Sequence, residues 1–588
     1  MENRKRFGTF TTLYVDVNLA KGLKYRFNAG AEIRNDVYGN YYSQKTTFRV
    51  NQSGSASSNR TSLNTNYTLE NLLVYDKLIG NHKINFTGLY SLQESKTQSN
   101  QFDNTNIAAD YLAYYNPTYA SNLKGTGSYS KWDILSYMGR LNYSYNDRYL
   151  VTLTLRSDGS SRLAPGNKYH VFPSAAVAWN VAKESFLKDA SNVSSLKLRA
   201  SYGTVGNTAI NPYQTLGGLS PLVYNFGSTT TTGAYLSNAS NDFLTWEYTS
   251  TANVGVDFGF FNNRLSGSVE WYKQFTNSLL LPQTLPITSG VPNANVRNIG
   301  KTENKGLEIH ISTVNIQGKT KNDLTWTSDL NFFINRGKIT QLADGVTKDV
   351  SNGWFVGQPI DVIYDYQRMG IWQNTPEDSA EAKRLGLTLT GSSSVIGTIR
   401  IADLSGPNGV PDGKIDATYD RIIVGTSQPK WEGGMTNRFG YKGFDLTVVA
   451  FARIGSTLNS SLEGGNFVNT YQGTYNNLKT DYWTPLNHQN EFPKPNSAAT
   501  NPLNRSLLGY FDGSFVKIRS MSLGYNIPQK FVQRIKGRSL RVYATASDPF
   551  ILFAPYRKKG GIDPEGAGTV GIDTPPVWSL LFGVNLSF

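Results

Sequence analysis

The sequence predicts an all-β fold, a transmembrane antiparallel β-barrel, and three observations support this prediction. Apolar residues recur at every second position along the chain, which is the period of a β-strand whose two faces meet different surroundings. Short turns alternate with long polar segments, as they do in barrels of bacterial outer membranes. Aromatic residues and glycine are abundant, with 35 Tyr, 29 Phe, 10 Trp and 55 Gly, as aromatic girdles and tight turns require.

The last twelve residues show the alternation most clearly. One parity of the segment 577–588 is apolar throughout: Trp578, Leu580, Phe582, Val584, Leu586 and Phe588. The other parity carries mostly small or polar side chains, among them Ser579, Gly583, Asn585 and Ser587. A strand with one wholly apolar face suits contact with lipid, with aromatic residues at the membrane interfaces. Phe588 is accordingly predicted to be the true end of the chain and part of the signal that the barrel-assembly machinery recognises.

The same alternation recurs at 13–19, 23–31, 151–156, 253–260 and 540–546. Counting such segments gives about seventeen strands, with boundaries uncertain by a few residues. If the last strand ends in the periplasm, the first begins on the extracellular side. Single-chain bacterial barrels have an even number of strands and begin in the periplasm. We therefore expect that N-terminal strands and an export signal are missing before Met1.

The connections between strands are predicted to be of two kinds. Tight links are expected at 21–22, 79–81, 146–147, 261–263, 317–322 and 442–443, and long extracellular loops near 95–133, 206–245, 336–432 and 456–507. A little helix is expected around 183–188 and 529–536. A further helix is predicted inside the largest loop, with Thr375 as N-cap, Pro376 at its first position and Gly386 closing it.

Composition excludes several classes of protein. The chain has no cysteine, which excludes disulfide scaffolds and thiolate metal sites, and no apolar run is long enough for a transmembrane helix. The net charge of +14 comes from basic residues scattered along strands and loops, so we expect no nucleic-acid partner. The 4 histidines lie far apart in sequence and lack the neighbours of metalloenzyme motifs. We expect the protein not to be an enzyme.

Several stretches, in order, resemble the SusC/RagA family of TonB-dependent outer-membrane transporters of Bacteroidetes. The most specific is 196–207 (LKLRASYGTVGN). The others are 140–149 (RLNYSYNDRY), 155–162 (LRSDGSSR), 246–249 (WEYT), 298–308 (NIGKTENKGLE), 356–360 (VGQPI), 370–373 (GIWQ), 412–416 (DGKID), 419–421 (YDR), 483–485 (WTP), 515–519 (FVKIR) and 523–525 (LGY). Each stretch alone is weak, whereas the ordered set covers essentially the whole chain.

This resemblance implies a single barrel domain over 1–588, truncated at its N-terminus. The family's barrel has 22 strands, so about 17 are expected here, without the N-terminal plug. The resemblance also implies active import of oligosaccharides or oligopeptides across the cell outer membrane. In the family, a SusD-like lipoprotein captures the substrate, and the TonB–ExbB–ExbD complex supplies energy through the N-terminal part.

Aromatic residues in the long loops are the candidate substrate-binding residues. Aromatic rings pack on the apolar faces of sugars while polar neighbours bond their hydroxyls. The candidates in the two largest loops are Trp354, Tyr364, Tyr366, Trp372 and Tyr482, with Tyr471 and Tyr475 beside them. The alternative for each residue is packing of the loops against one another. As a set they are compatible with a glycan or a peptide ligand.

An acidic segment, 403–420, is a candidate calcium loop. Its part 412–416 is similar to the middle of an EF-hand loop, in which carboxylates alternate around a glycine turn. Val410 stands where Asp or Asn is needed, and Tyr419 replaces the closing carboxylate. Asp412, Asp416 and Asp420 could still bind Ca²⁺ in another geometry, and the alternative is a polar turn. No other cofactor is expected.

Three other functions stay open at this point. A passive porin would share the barrel and lack energy coupling. A soluble all-β carbohydrate-binding protein or adhesin would also alternate, with its apolar faces packed inward. The 588-residue chain could also be a barrel fragment without a function of its own, because unpaired strand edges are costly in lipid.

Overall fold

The structure is a computed structural model, and it describes all residues except 50, 53, 108–109, 116–119, 321, 392, 465–480, 495–503, 567–568 and 571–576. These residues form two compact units. The first contains Met1–Glu184, Arg199–Asn253 and Gln274–Lys301; the second contains Ser185–Leu198, Val254–Lys273 and Thr302–Phe588. The predicted candidates Tyr471 and Tyr475 lie outside the described residues.

Long strands dominate the first part of the chain. They are β1 (Glu2–Ala20), β2 (Leu23–Tyr42), β3 (Ala56–Ile79), β4 (His82–Ile107), β5 (Ala120–Tyr145), β6 (Tyr149–Ser160), β7 (Tyr169–Asn180), β8 (Val193–Asn207), β9 (Gly218–Phe226), β10 (Thr229–Asn238), β11 (Glu247–Phe260), β12 (Leu265–Asn277), β13 (Leu280–Gln283), β14 (Asn295–Asn298), β15 (Lys301–Ile316) and β16 (Thr325–Gln341).

Shorter strands and four short helices complete the chain. They are β17 (Lys348–Asp349), β18 (Trp354–Phe355), β19 (Val362–Tyr366), β20 (Arg368–Ile371), α1 (Pro376–Arg384), β21 (Ile399–Ile401), β22 (Arg421–Thr426), β23 (Trp431–Tyr441), β24 (Phe444–Ile454), β25 (Thr457–Ser460), α2 (Ser461–Gly464), β26 (Tyr510–Asp512), β27 (Phe515–Asn526), α3 (Gln529–Val532), β28 (Ser539–Phe553), α4 (Pro555–Lys558), β29 (Thr569–Val570) and β30 (Ser579–Ser587).

Seventeen of the described strands belong to one antiparallel sheet, as the strand count from the sequence predicted. In the first unit β1 to β7 pair in chain order, each with the next. In the second unit β16, β23, β24, β27, β28 and β30 form a similar meander. The predicted tight links at 21–22, 79–81, 146–147 and 442–443 each join two strands that pair with one another.

The tight turns are built by residues with a left-handed backbone. Asn146 and Asp147, between β5 and β6, both have φ of +52°, which is the conformation of a two-residue hairpin turn that matches the twist of its strands. Lys442 and Gly443, between β23 and β24, have φ of +49° and +86°. Asn, Asp and Gly tolerate this region better than other residues, so the sequence encodes these turns locally.

The apolar faces of the long strands are exposed, as the alternation predicted for contact with lipid. In β30 and its flanks, Phe582 is 74% and Val584 65% exposed, and Phe588 at the chain end is 73% exposed. In β1 the exposed apolar residues include Phe7 and Leu13. A soluble sheet would bury such a face, because a large contiguous apolar patch is unfavourable in water.

One predicted loop is corrected by the structure. The segment 95–133 was expected to be an extracellular loop, but β4 continues to Ile107 and β5 begins at Ala120. Its sequence is polar, and polarity suggested a loop. The backbones of two paired strands satisfy each other's hydrogen bonds, so a hairpin continues after its apolar face has ended. The predicted segments 206–245, 336–432 and 456–507 lie, as far as their described residues go, largely between strands of the seventeen-stranded sheet. Their extracellular location stays a prediction.

The predicted helices also form. The helix α1 begins at Pro376, the hydroxyl of Thr375 accepts a hydrogen bond from the Asp378 N–H at 3.2 Å, and Gly386 follows with φ of +65°. The expected helix around 529–536 consists of α3 and a 3₁₀ turn, and that around 183–188 consists of two 3₁₀ turns. No helix among the described residues is long and apolar enough to cross a membrane.

Candidate ligand-binding site

The connections of the second unit pack into a body of their own, which we call the loop body and define as the described residues of 342–430, 456–464 and 481–514. Its main core consists of Ile371, Ile399, Ile401, Trp483, Leu507 and Leu508. A second core lies beneath α1, where Trp372 contacts Ala382 and Leu385. The buried side chains therefore come from three separate stretches of sequence, and their packing fixes how these stretches meet.

Trp372 is a structural residue in this body. Its ring is only 2% exposed, and the Arg400 guanidinium lies 4.7 Å from the ring centre. Arg400 also forms an ion pair with Asp378 of α1, at 2.5 Å. A ligand could reach this ring only after the helix had moved, so Trp372 is left out of the candidate ligand surface.

The other predicted aromatic residues are at least partly exposed. Trp354 and Tyr364 are half-buried, and the Tyr364 ring lies 4.7 Å from that of Phe355. Tyr366 packs against the main core and carries the Arg421 guanidinium at 5.1 Å from its ring centre. Tyr482 is 40% exposed. These four aromatic residues can offer ring faces to a sugar or a peptide, and their role in binding stays a prediction.

Asp365, between the two tyrosines of β19, was not identified from the sequence. Alternation along the strand turns its carboxylate to the opposite side, where it accepts hydrogen bonds from Ser506 and Tyr510 at 2.7 and 2.8 Å. Burial and the neighbouring Asp365 carboxylate raise the pKa of the Tyr510 hydroxyl. The contacts join β19 to a segment some 140 residues later, so no local sequence signal could reveal them.

Trp483 was also not among the predicted site residues. It is 4% exposed, and its indole N–H donates a hydrogen bond to Gln373 Oε1 at 2.8 Å. The turn that follows is tight, because Thr484 and Asn487 exchange two backbone hydrogen bonds of 3.0 Å. Trp483 thereby anchors the segment that carries both Tyr482, directly before it, and this turn.

Most of the acidic residues in the segment 403–420 accept hydrogen bonds from backbone N–H groups of the same segment. The fully buried Asp420 accepts hydrogen bonds from the backbone N–H groups of Leu404, Ser405 and Asp416. Asp416 accepts from Thr418 and Tyr419, and Asp412 accepts from Lys414. Asp403, which was not predicted, contacts the Arg384 guanidinium at 3.1 Å. Among the described residues no group of three or more His, Asp or Glu side chains is placed to hold a metal.

The first unit contains a recess of about 590 Å³ on its strands, lined by both polar and apolar residues. The polar residues include Thr152, Thr154, Arg156 and Asp158 of β6. Arg156 donates to Asp158 at 2.8 Å, and Arg140 donates to Thr154 at 3.1 Å. The recess offers hydroxyls and paired charges, which suits a polar surface or solute. The alternation in β6 could be read from the sequence, but the existence of the recess could not.

The β9–β10 hairpin is a second notable feature of the first unit. The segment 218–238 contains no charged residue. Nearly all of its side chains are exposed on both faces, including Leu219, Tyr224 and Phe226. The rings of Tyr224 and Phe226 meet edge to face at 4.8 Å. Exposed apolar groups on an uncharged hairpin are typical of a surface that a partner covers.

Comparison with known proteins gives one consistent result. The sequence profile of the family described as TonB dependent receptor-like, beta-barrel matches residues 2–542. TonB-dependent receptor P3 of Formosa agariphila is 32% identical over 619 residues, which cover 100% of this chain and 59% of the relative. TonB-dependent receptor SusC of Bacteroides thetaiotaomicron is 30% identical over 489 residues, 77% of this chain and 44% of the relative.

Among solved structures, the RagAB peptide transporter matches with a TM-score of 0.83 at 21% identity, over 100% of this chain and 62% of that chain. At 21% identity this match shows the fold alone. The chain spans about half to three-fifths of the length of the relatives it matches. These relatives are named as receptors and transporters, in agreement with the expectation of a protein that is not an enzyme.

Proposed function

This chain belongs to the family of TonB-dependent receptors, and from that premise we propose that it supplies the barrel of an outer-membrane importer of large nutrients. The proposed ligands are oligosaccharides or oligopeptides, which pass without any bond being made or broken. The proposed energy source is TonB with its ExbB–ExbD partners, acting through a part of the protein outside this chain. The barrel would provide the wall and the loops that meet the ligand.

One observation carries this proposal. Large apolar side chains are exposed along the long strands, as Phe582 and Val584 are in β30 and Phe7 and Leu13 in β1. Most residues of the opposite parity in these strands are polar or small. In a membrane such a face contacts lipid, and the polar face lines an aqueous interior. A soluble adhesin would need the reverse arrangement, with its apolar faces packed together.

Cell fractionation tests the location. We expect the protein in the outer-membrane fraction, as a species whose electrophoretic mobility changes on heating. Recovery in the soluble fraction would contradict the proposal and favour the adhesin. Uptake that continues when the inner-membrane proton gradient is collapsed would instead favour a passive porin.

We further propose that a SusD-like surface lipoprotein is the partner and that the β9–β10 hairpin contacts it. The support is the hairpin's composition: it lacks charge and exposes Leu219, Leu222, Val223, Tyr224 and Phe226. Aromatic residues are enriched at protein interfaces, where they fill pockets on the partner. Burial of such side chains stabilises a complex by roughly 25 cal/mol per Å² of apolar surface.

Replacement of Tyr224 and Phe226 by serine tests the partner surface. We expect the double variant to reach the outer membrane at the wild-type level and to lose the co-purifying lipoprotein. Thr230→Ser, in the same hairpin, is the matched control and should retain it. Wild-type recovery of the lipoprotein with the double variant would exclude the hairpin as its contact.

The ligand surface that we propose consists of Trp354, Tyr364, Tyr366 and Tyr482. Two of its rings flank Asp365 on one strand, and aromatic rings combined with polar neighbours are the common composition of ligand sites. A strain carrying the Tyr482→Ala variant should grow more slowly than wild type on the oligosaccharide or peptide that requires this transporter. Growth on monosaccharides and free amino acids is the control and should not change.

A further inference from the structure

The segment 554–566 follows β28 and contains α4, and we call it the strap. It has little regular structure, yet two buried attachments fix it to the rest of the second unit, beside an exposed ion pair between Lys559 and Glu491. The first attachment is Tyr556, which is 1% exposed and packs with Leu458 and Phe511. The Tyr556 hydroxyl lies 2.8 Å from Ser460 Oγ and donates to the Glu463 carboxylate at 3.0 Å. The strap is thereby joined to β25 and α2.

Gly561 permits this attachment. A Cβ atom at this position would lie 2.3–2.5 Å from the ring of Tyr556, well inside van der Waals contact. The Gly561 N–H also donates to the Tyr556 carbonyl at 3.1 Å. The chain therefore folds back over the ring, and this directs the following residues, 562–566, towards the strand wall.

The second attachment is an ion cluster around Lys517 of β27. This side chain is only 2% exposed, and its ammonium lies 2.7 Å from both Asp548 and Asp563 and 2.5 Å from Glu565. Arg519 pairs with Glu565, and Arg453 donates to the Gly566 carbonyl at 3.3 Å. Asp563 and Glu565 belong to the strap, so a single buried lysine holds both of the strap's carboxylates.

The strands are adapted to this cluster. The pairing of β27 with β28 shifts register between Val516 and Lys517 and again between Ile518 and Ser520. Asp548 on β28 has φ of +52°, a left-handed conformation that is uncommon outside glycine and asparagine-like residues. Bulges of this kind re-aim side chains and are frequent beside functional sites. Here they bring the Asp548 carboxylate to Lys517.

The charges of the cluster depend on one another. Without the lysine, Asp548, Asp563 and Glu565 would lose the cation that they share, and within the described part of the chain the remaining ion pair of the cluster is that of Arg519 with Glu565. Removing one member of a buried ion pair is strongly unfavourable, because the remaining charge stays uncompensated in a poorly hydrated place. Here this applies most to Asp563, which is buried, and less to Glu565 and Asp548, which are partly exposed. Two of these carboxylates are on the strap, so moving the strap outward relieves their mutual repulsion.

We propose that the strap is a charge-operated latch, closed in this structure, which Lys517 holds against the strand wall and which opens when the ion cluster is broken. Opening detaches Asp563 and Glu565 from β27 and frees the part of the strap that follows Tyr556. The latch thus controls whether this part of the strap stays against β27 and β28 or moves away from them. This inference rests on the packing of the second unit and needs no assumption about the transported ligand.

Limited proteolysis with trypsin tests the latch. The strap contains its own exposed cleavage sites, Arg557, Lys558 and Lys559, and cleavage of a folded segment follows the population of its opened form. The complete protein, purified from outer membranes, is treated with trypsin, and the fragment that ends at Phe588 is quantified by mass spectrometry. Lys517→Met should accelerate this cleavage at least about tenfold.

Two further variants separate charge from packing. In Lys517→Met/Asp563→Asn/Glu565→Gln the strap carboxylates are neutral, so its cleavage rate should fall back towards that of wild type. Arg541→Met removes another ion pair of β28, with Asp445 at 2.5 Å, and should cleave as wild type does. For each variant, a change of electrophoretic mobility on heating shows that the barrel is folded.

The outcomes decide the proposal. Wild-type cleavage of Lys517→Met overturns the latch, and a triple variant cleaved as fast as Lys517→Met overturns its control by charge. If Lys517→Met does not assemble, Asp563→Asn/Glu565→Gln replaces it, since Lys517 keeps Asp548. That variant should also be cleaved faster than wild type, and a wild-type rate would again overturn the latch. Because no transport is measured, failure here leaves the importer proposal unaffected.

Discussion

The Tyr510 hydroxyl donates a hydrogen bond to Asp365 Oδ2 over 2.8 Å, and this contact joins two connections of the second unit that are far apart in sequence. The carboxylate also accepts from Ser506. Buried polar groups with all partners in place specify one arrangement of a core, and they become costly when a partner is removed. The contact therefore determines how β19 and β26 meet in the loop body.

Asp365→Asn should lower the pKa of Tyr510. Burial and the Asp365 carboxylate together raise that pKa, because both disfavour the ionised phenolate. Removal of the negative charge leaves burial, which raises the pKa, and the contributions of Ser506 and Arg421, which lower it. The measurement is an ultraviolet difference titration in which the Tyr510→Phe variant is subtracted from its parent, in wild type and in Asp365→Asn. An unchanged difference curve would show that Asp365 does not act on this hydroxyl.

Trp372→Ala should destabilise α1 and its surroundings by about 3–5 kcal/mol, the usual cost of removing a buried tryptophan. The ring is 2% exposed and contacts Ala382 and Leu385. Amide hydrogen exchange of Pro376–Arg384 measures the change. Tyr482→Ala, which removes an exposed ring, is the control and should leave this protection intact. Equal loss of protection in both variants would contradict the distinction between packing and surface residues.

Thr375→Ala should cost α1 about 1 kcal/mol, because the alanine cannot accept the hydrogen bond from the Asp378 N–H. Thr375→Ser keeps a hydroxyl at the N-cap and should behave as wild type within a few tenths of a kcal/mol. The comparison uses exchange of the first helical amides. If these amides are as well protected in Thr375→Ala as in Thr375→Ser, the N-cap hydrogen bond contributes little to the stability of α1.

The contribution of the Glu463 carboxyl to the stability of α2 should decrease as the pH rises. Burial raises the pKa of this carboxyl, although Ser460 and Tyr556 donate hydrogen bonds to it. Since the folded pKa is above the unfolded one, the folded form holds its proton more tightly. This contribution is complete below the unfolded pKa and is lost as the pH passes upward through the folded pKa. Exchange protection of Ser461–Gly464, corrected for intrinsic rates, should fall over that range, and Glu463→Gln should not show the fall.

Calcium should leave the stability of the segment 403–420 unchanged. The carboxylates of Asp416 and Asp420 already accept backbone hydrogen bonds, and the Arg384 guanidinium lies beside Asp403. A titration followed by hydrogen exchange of this segment is the measurement. Increased protection on addition of Ca²⁺, lost in Asp412→Asn and Asp416→Asn, would instead support a calcium site.

Much of the fold could be predicted from the sequence because its rules are local. The alternation of Val151, Leu153 and Leu155 with polar neighbours sets the two faces of β6, and the turn at Asn146 and Asp147 sets its pairing with β5. A helix was placed correctly from Thr375 and Gly386, since capping depends on a few adjacent residues. Local polarity misled where β4 and β5 extend beyond their apolar part, and also inside the predicted loops 206–245 and 336–432, where short paired strands form.

The candidate site was less accessible from the sequence. Trp372 and Tyr482 are both aromatic residues in polar segments, and nothing local distinguishes them, yet one is buried and the other is 40% exposed. Trp483 and Asp365 gain their roles from partners 110 or more residues away. Contacts of this kind depend on how separate segments pack, and packing leaves no period in the sequence.

The sequence by itself determined the strands, their two faces, their turns and the family, because these follow from the order of residues along the chain. Only the tertiary structure decided which side chains lie in the cores of the loops, where the carboxylates find their partners, and that Lys517 holds the strap. The physical reason is that burial and charge compensation depend on distances in space, and the chain brings together residues whose separation in sequence carries no information about those distances.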